Sequence, residues 1–310
     1  MREIFVNLKR FDVPKAMGGL CLTENPQVWI EEIIEKTVNL GLGKLDGVNV
    51  TYTIPDSLVL PAIAKLKSFP AEKTKNLAIG NQSVFRQDIA PGGNFGAFTS
   101  NTPAAAAKNM GCSWSLIGHS EERKDKFEML ARFEPRVTTD SSLMGKANAA
   151  VSQMLNEQNL CALKREMNVI FCIGETAEER GEGTFEEQKP RIEAVLKAQL
   201  EIGLKGVAEF LPQRKIVLGY EPRWAIGPGK TPPGAEYIAY VSAFAKQTVK
   251  KLYGFDIPVV YGGGLKAENA KMIGGIATID GGLVALTKFT DPIAFQPEDL
   301  KIIIETYLSA

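Results

Sequence analysis

Histidine is almost absent from this chain: one imidazole, His119, stands in 310 residues. A metal site built from several histidines is excluded, and any histidine chemistry falls to that side chain. Net charge is lacking too, because 36 basic and 36 acidic side chains cancel. That leaves no broad positive field for a nucleic-acid backbone. Long apolar runs are missing, so no segment is expected to cross a membrane as a helix. The opening MREIFVNLKRFDVPK has charges but no apolar core of the kind a secretory signal needs. Cysteine is scarce, and Cys21, Cys112, Cys161 and Cys172 lie far apart with no C-x-x-C spacing. Such a set suits reduced, mostly buried thiols and a cytoplasmic location.

What is present is a regular alternation. Short β-rich runs occur at 4–9, 48–53, 77–82, 114–119, 168–174, 215–221, 258–263 and 283–287. Several are nearly continuous apolar runs, as expected of parallel strands covered on both faces. Between them lie helical patterns with start and stop signals. Asn25-Pro26 opens a helix that Gly41 ends, and Thr102-Pro103 opens one that Gly111 ends. Residues 184–205, 235–252 and the terminal PEDLKIIIETYL are amphipathic. Eight strands alternating with helices predict an α/β fold, a (β/α)8 barrel. A doubly wound sheet is the alternative, but no G-x-G-x-x-G follows the first strand. No linker divides residues 1–310, so one barrel domain is expected. Barrels of this kind run to about 250 residues, and the surplus is assigned to insertions within 10–24, 85–95 and 121–166. The last contains RFEPRVTTDSS, a polar stretch unlike a barrel helix.

A barrel's active site lies at the C-terminal ends of its strands. Strand 1 ends in Asn7-Leu8-Lys9, whose alternation sends Asn7 and Lys9 to one face. A lysine there offers positive charge to an anion, although alone it reads more readily as a surface lysine. Strand 4 ends in Gly118-His119-Ser120-Glu121. The positive end of the following helix disfavours an imidazolium and keeps His119 neutral, suited to an electrophile or proton shuttle. Strand 6 ends in Tyr220-Glu221-Pro222-Arg223-Trp224, and Glu221 is a general-base candidate. The segment after it has a stiff Pro/Trp entry, Gly227 and Gly229 around Pro228 at the tip, and a Lys-Thr-Pro exit. That is the composition of a mobile lid with a partly stiffened tip. Strand 7 ends in Gly262-Gly263-Gly264, whose bare N–H groups suit a phosphate, or simply a tight turn.

In this order, NLK, GHSE, YEPRWAIGPGK and YGGG at strand ends 1, 4, 6 and 7 resemble the triosephosphate isomerase family. GAFT, CIGET and IDGGLV agree, and the likeness covers nearly the whole chain. The resemblance implies Glu221 as the base that removes a proton alpha to a carbonyl. It implies His119 as neutral electrophile, Lys9 as stabiliser of an enediolate and Asn7 as orienting group. Ser120 and Glu121 support them. Gly227, Gly262, Gly263, Gly264, Ala285 and Leu286 fall at the phosphate end. No metal or organic cofactor is implied. The substrate implied is a triose phosphate, with no nucleic-acid or membrane partner.

The chain also departs from that pattern. Phe11, Asn101 and Glu122 stand where the family usually has asparagine, glutamate and arginine at subunit contacts. A homodimer, if formed, is expected to have an altered interface. Gly264 replaces a serine, and Ala285-Leu286 replaces a glycine pair, while Thr287 and Lys288 offer replacement contacts. Two further readings follow: an isomerase of a longer phosphorylated ketose such as a tetrulose phosphate, and a barrel that binds a sugar phosphate or a partner without turnover.

Overall fold

The computed structural model describes residues 1–227 and 229–310. The expectation about Pro228 lies outside the described residues. Eight parallel strands close on themselves in sequence order: β1 (Arg2–Asn7), β2 (Val48–Ile54), β3 (Leu77–Asn81), β4 (Trp114–Ile117), β5 (Asn168–Ile173), β6 (Ile216–Tyr220), β7 (Val259–Tyr261) and β8 (Gly281–Val284), with β8 paired to β1. The barrel expected from the alternation is thus observed. Helices α1 (Pro26–Asn39), α2 (Asp56–Lys67), α3 (Ala71–Thr74) and α4 (Ala104–Met110) surround its first half. The second half carries α5 (Ser120–Phe133), α6 (Ser141–Lys164), α7 (Ala177–Arg180), α8 (Phe185–Gly203), α9 (Ala235–Tyr253), α10 (Ala267–Gly274) and α11 (Pro297–Leu308).

Alternation along each strand separates two cores. Phe5, Trp114, Leu116, Ile170, Cys172, Val217, Val260 and Leu283 fill the barrel interior. Their neighbours, such as Ile4, Val6, Val169 and Phe171, point outward to the helices. Both faces are buried, which is why the strands read as unbroken apolar runs. Inside, Phe5 meets Trp114 edge to face at 5.0 Å.

Three local readings shift. The eighth strand begins at Gly281, ahead of the expected 283, because Gly281 and Gly282 both pair with β7 and with β1. A Cβ at Gly282 would lie 2.6 Å from a Leu265 methyl, so glycine makes that pairing possible. The helix after Thr102 starts at Ala104 with Pro103 as its cap, since the Thr102 hydroxyl is engaged by Asp56. Within 121–166, RFEPRVTTDSS forms a 3-10 turn at Pro135–Thr138, and Asp140 then caps α6 through the N–H groups of Ser142 and Leu143. Helix α6 packs against β4, β5 and α8, so this stretch supplies a barrel-covering helix. The 10–24 segment is drawn together by a bridge between Pro14 and Cys21.

Candidate active site

The strand ends meet at one mouth, around a cavity of about 290 Å³ lined in part by Asn7, Lys9, Gln82, His119, Glu121 and Glu122. Asn7 is buried, and its Oδ1 accepts from the Lys9 N–H and from Gln82 Nε2, both at 3.1 Å. These bonds hold Lys9 at φ 43, a left-handed conformation for a residue other than glycine. Such a conformation costs on the order of 1–3 kcal/mol and persists where its surroundings enforce it. Lys9 Nζ reaches Glu121 Oε1 at 2.7 Å. Burial raises the Glu121 carboxyl, but the hydrogen bond and charge of Lys9 outweigh it and leave the group below its ordinary range.

His119 is the N-cap of α5, and the Glu121 N–H donates to its Nδ1 over a long 3.4 Å. A nitrogen that accepts carries no proton, so the ring hydrogen is assigned to Nε2. That nitrogen lies 3.0 Å from Glu221 Oε1. Glu221 is 2% exposed. Its Oε2 accepts the Ser120 N–H at 2.8 Å and its Oε1 the Ser120 hydroxyl at 3.4 Å, so the carboxylate sits on the positive end of α5. A Cβ at Gly262 would stand 2.8 Å from Glu221 Cγ. The glycine after β7 therefore makes room for the glutamate after β6. Cys172 lies beneath, its thiol pushed well up by burial and by the charge of Glu221.

Glu175, which no motif reading singles out, lies two residues past β5, as Glu221 lies one past β6. It is fully buried, and its Oε1 accepts from Tyr237 (2.7 Å), Trp224 Nε1 (2.8 Å) and Tyr220 (3.0 Å). Burial raises this carboxyl despite those three donors. The Arg180 guanidinium covers the Trp224 ring at 3.8 Å. The start of the segment after β6 is thereby fastened to the residues that follow β5. The order of residues hints at the place of Glu175, since NVIFCIGE and KIVLGYE both carry an acid just past an apolar strand, but not at its partners.

After β7, the Gly262 N–H donates to the Tyr220 carbonyl at 2.6 Å, within the barrel. Among the described residues, the N–H groups of Gly263 and Gly264 donate to no protein acceptor. Gly264 and Gly227 are left-handed at φ 91 and 120. Ala285 and Leu286 are half-buried just past β8. The Thr287 hydroxyl accepts the Gln296 N–H at 2.8 Å, and the Lys288 backbone exchanges hydrogen bonds with Ala294 at 3.0 and 3.2 Å. Residues 287–296 thus close on themselves, with no helix between β8 and α11 among the described residues. Among those residues no three His, Cys, Asp or Glu side chains converge as a metal site, and no helix is long and apolar enough to cross a membrane.

A family model described as triosephosphate isomerase matches residues 44–292. The triosephosphate isomerase of Oleidesulfovibrio alaskensis is 31% identical over 246 residues, covering 76% of this chain and 84% of that protein. That of Alkalilimnicola ehrlichii is 34% identical over 244 residues, covering 76% and 82%. That of Chloroherpeton thalassium is 34% identical over 194 residues, where the match spans 61% of this chain and 64% of the relative's length. A crystal structure of triosephosphate isomerase from Bartonella henselae has the same fold, with a TM-score of 0.65 at 20% identity over 99% of this chain and 98% of that one.

Proposed function

The chain belongs to the triosephosphate isomerase family, and from that membership we propose that it interconverts dihydroxyacetone phosphate and glyceraldehyde 3-phosphate. The observation that carries the proposal is the 3.0 Å approach of His119 Nε2 to Glu221 Oε1 beside a mouth that Lys9 lines. A glutamate base paired with a neutral histidine is the pattern established for this family. Glu221 removes the proton alpha to the carbonyl. His119, with its hydrogen on Nε2, donates to the developing oxyanion and shuttles the proton between the two oxygens. Lys9 opposes the enediolate charge, and Asn7 orients that end of the substrate. A dry, preorganised site makes each of these interactions stronger than it would be in water.

Glu221 is held by Ser120, so proton abstraction requires it to turn from the α5 N-terminus toward substrate. Closure of the lid, with release of Trp224 from Glu175, supplies the occasion for that movement. The phosphate falls to the free N–H groups of Gly263 and Gly264, with Gly227 on the lid. Glu121 and Ser120 act on Lys9 and Glu221. The reaction as proposed uses no metal or organic cofactor, and its setting is the cytoplasm. One barrel spanning 1–310 carries it, with the extra length in 10–24, 85–95 and 121–166.

A second reading is favoured by Ala285-Leu286 and the self-closed 287–296 segment: the same proton transfer on a longer phosphorylated ketose. Self-association is proposed to differ from the family's. Asn101 is exposed and bonds only Ser100 among the described side chains, while Glu122 turns into its own chain. Coupled turnover of purified protein on dihydroxyacetone phosphate and on a four-carbon ketose phosphate, with deuterium incorporation from D2O, tests the function. Turnover of the triose supports it, and absence of both turnover and exchange refutes it.

A further inference from the structure

We infer that Glu122 is a positioning residue that fixes the peptide carrying His119; the inference rests on the proposed catalytic role of that histidine. One Glu122 oxygen, Oε2, accepts the Gly118 N–H at 2.7 Å. The other, Oε1, accepts from Ser83 Oγ at 2.8 Å, Gln158 Nε2 at 2.9 Å and Lys126 Nζ at 3.0 Å. The donors come from the end of β4, the segment after β3, α6 and the next turn of α5. The carboxylate is only 16% exposed, so these bonds are poorly screened.

The Gly118 peptide needs such a hold. It is left-handed at φ 76, and a Cβ there would lie 3.0 Å from the Cys172 carbonyl. Its direction decides where the next residue, His119, points. Glu122 takes its N–H, and Arg123 takes its carbonyl through Nε at 2.9 Å. Arg123 is itself anchored to the Cys172 carbonyl at 2.8 and 3.1 Å. Adjacent residues of α5 therefore grip both polar atoms of the residue before the imidazole, while the imidazole caps the same helix. Gln158 ties the arrangement to the β3 end by donating also to Ser83 Oγ at 2.8 Å. Ser83 is held in a left-handed conformation at φ 81.

Glu122 shares no bond with Lys9 or with the glycines of the phosphate end. Its loss should therefore displace the imidazole while leaving ground-state binding largely intact. Misplacement by about 1 Å costs on the order of a hundredfold in rate, and an interaction felt mainly in the transition state lowers kcat rather than raising KM.

The test compares wild type with Glu122→Ala and Glu122→Gln by steady-state kinetics and by NMR of the one histidine. Glu122→Ala is expected to lower kcat by about ten- to a hundredfold with KM within about twofold, and to shift or broaden the His119 ring signals. Glu122→Gln keeps an acceptor for the Gly118 N–H and should recover part of the loss. A folded Glu122→Ala protein with wild-type kcat and unmoved His119 signals overturns the inference, as does a loss confined to KM. If Glu122→Ala does not fold, Ser83→Ala and Lys126→Met each remove one donor to Oε1. Both should move the His119 signals, and no change in either overturns the inference. Should wild type turn over no triose phosphate, the proposed function fails, and the His119 signals alone decide the positioning role.

Discussion

Lys9 Nζ lies 2.7 Å from Glu121 Oε1, so the cation at the barrel mouth is already paired in the free protein. An incoming anion competes with that carboxylate. The pair is 28% and 66% exposed, so its contribution to stability is at most about 1 kcal/mol and is screened by salt. Glu121→Gln should leave thermal stability nearly unchanged and lower KM for a triose phosphate at low ionic strength. The difference should fade as salt is raised toward about 1 M, where the Debye length is about 3 Å. Unchanged KM at low salt would show that Lys9 does not face the anion.

Glu221 is placed by its full length, from the end of β6 to the Ser120 N–H. Glu221→Asp keeps the charge but withdraws it by one methylene. A fall in kcat on the order of a hundredfold with KM little changed is expected, read by steady-state kinetics. Near-normal kcat would remove Glu221 from the role of base.

The buried Glu175 carboxyl is raised above its ordinary value, so the folded state holds this proton more tightly than the unfolded chain does. Between the unfolded and folded pKa values the folded protein binds more protons. Stability from this group is therefore fully present below the unfolded pKa and is lost as pH rises through the folded one. Glu175→Gln removes that dependence. Urea unfolding of both proteins from pH 4 to 8 should show wild type losing stability relative to the variant as pH rises. Parallel curves would contradict the raised value.

Ala285 and Leu286, proposed to lie at the phosphate end, follow β8 directly, and the Thr287 hydroxyl is taken by Gln296. Ala285→Gly combined with Leu286→Gly should lower KM for a triose phosphate with kcat little changed, the sign of regained uniform binding. Each glycine is expected to cost roughly 0.5–1 kcal/mol of stability, checked by thermal unfolding. If KM does not fall, these two side chains do not narrow the anion site.

Much of the arrangement was legible in the order of the residues. Local periodicity marked all eight strands, because parallel strands buried on two faces need continuous apolar runs. Residues at strand ends follow from that assignment, so Asn7, Lys9, His119 and Glu221 were visible as candidates before any contact was known. In the order of residues Glu122 stands out only as a departure at a subunit contact, and Glu175 only as an acid just past an apolar strand. Each is recognised by partners that no local pattern specifies: Ser83 and Gln158 for one, Trp224 and Tyr237 for the other.

The amino-acid order by itself determined the alternation of strands and helices, and it determined which polar side chains stand at the strand ends. Those are consequences of pattern and local backbone preference, acting over a few residues at a time. Which oxygen meets which donor was decided by closure of the barrel. Closure brings Ser120 to Glu221 across 101 positions and Lys9 to Glu121 across 112, and it sets the Glu221 stem against the glycine that follows the neighbouring strand. Hydrogen bonds and carboxylate shifts depend on distances of a few ångströms and on exclusion of water, and both exist only once the strands are joined.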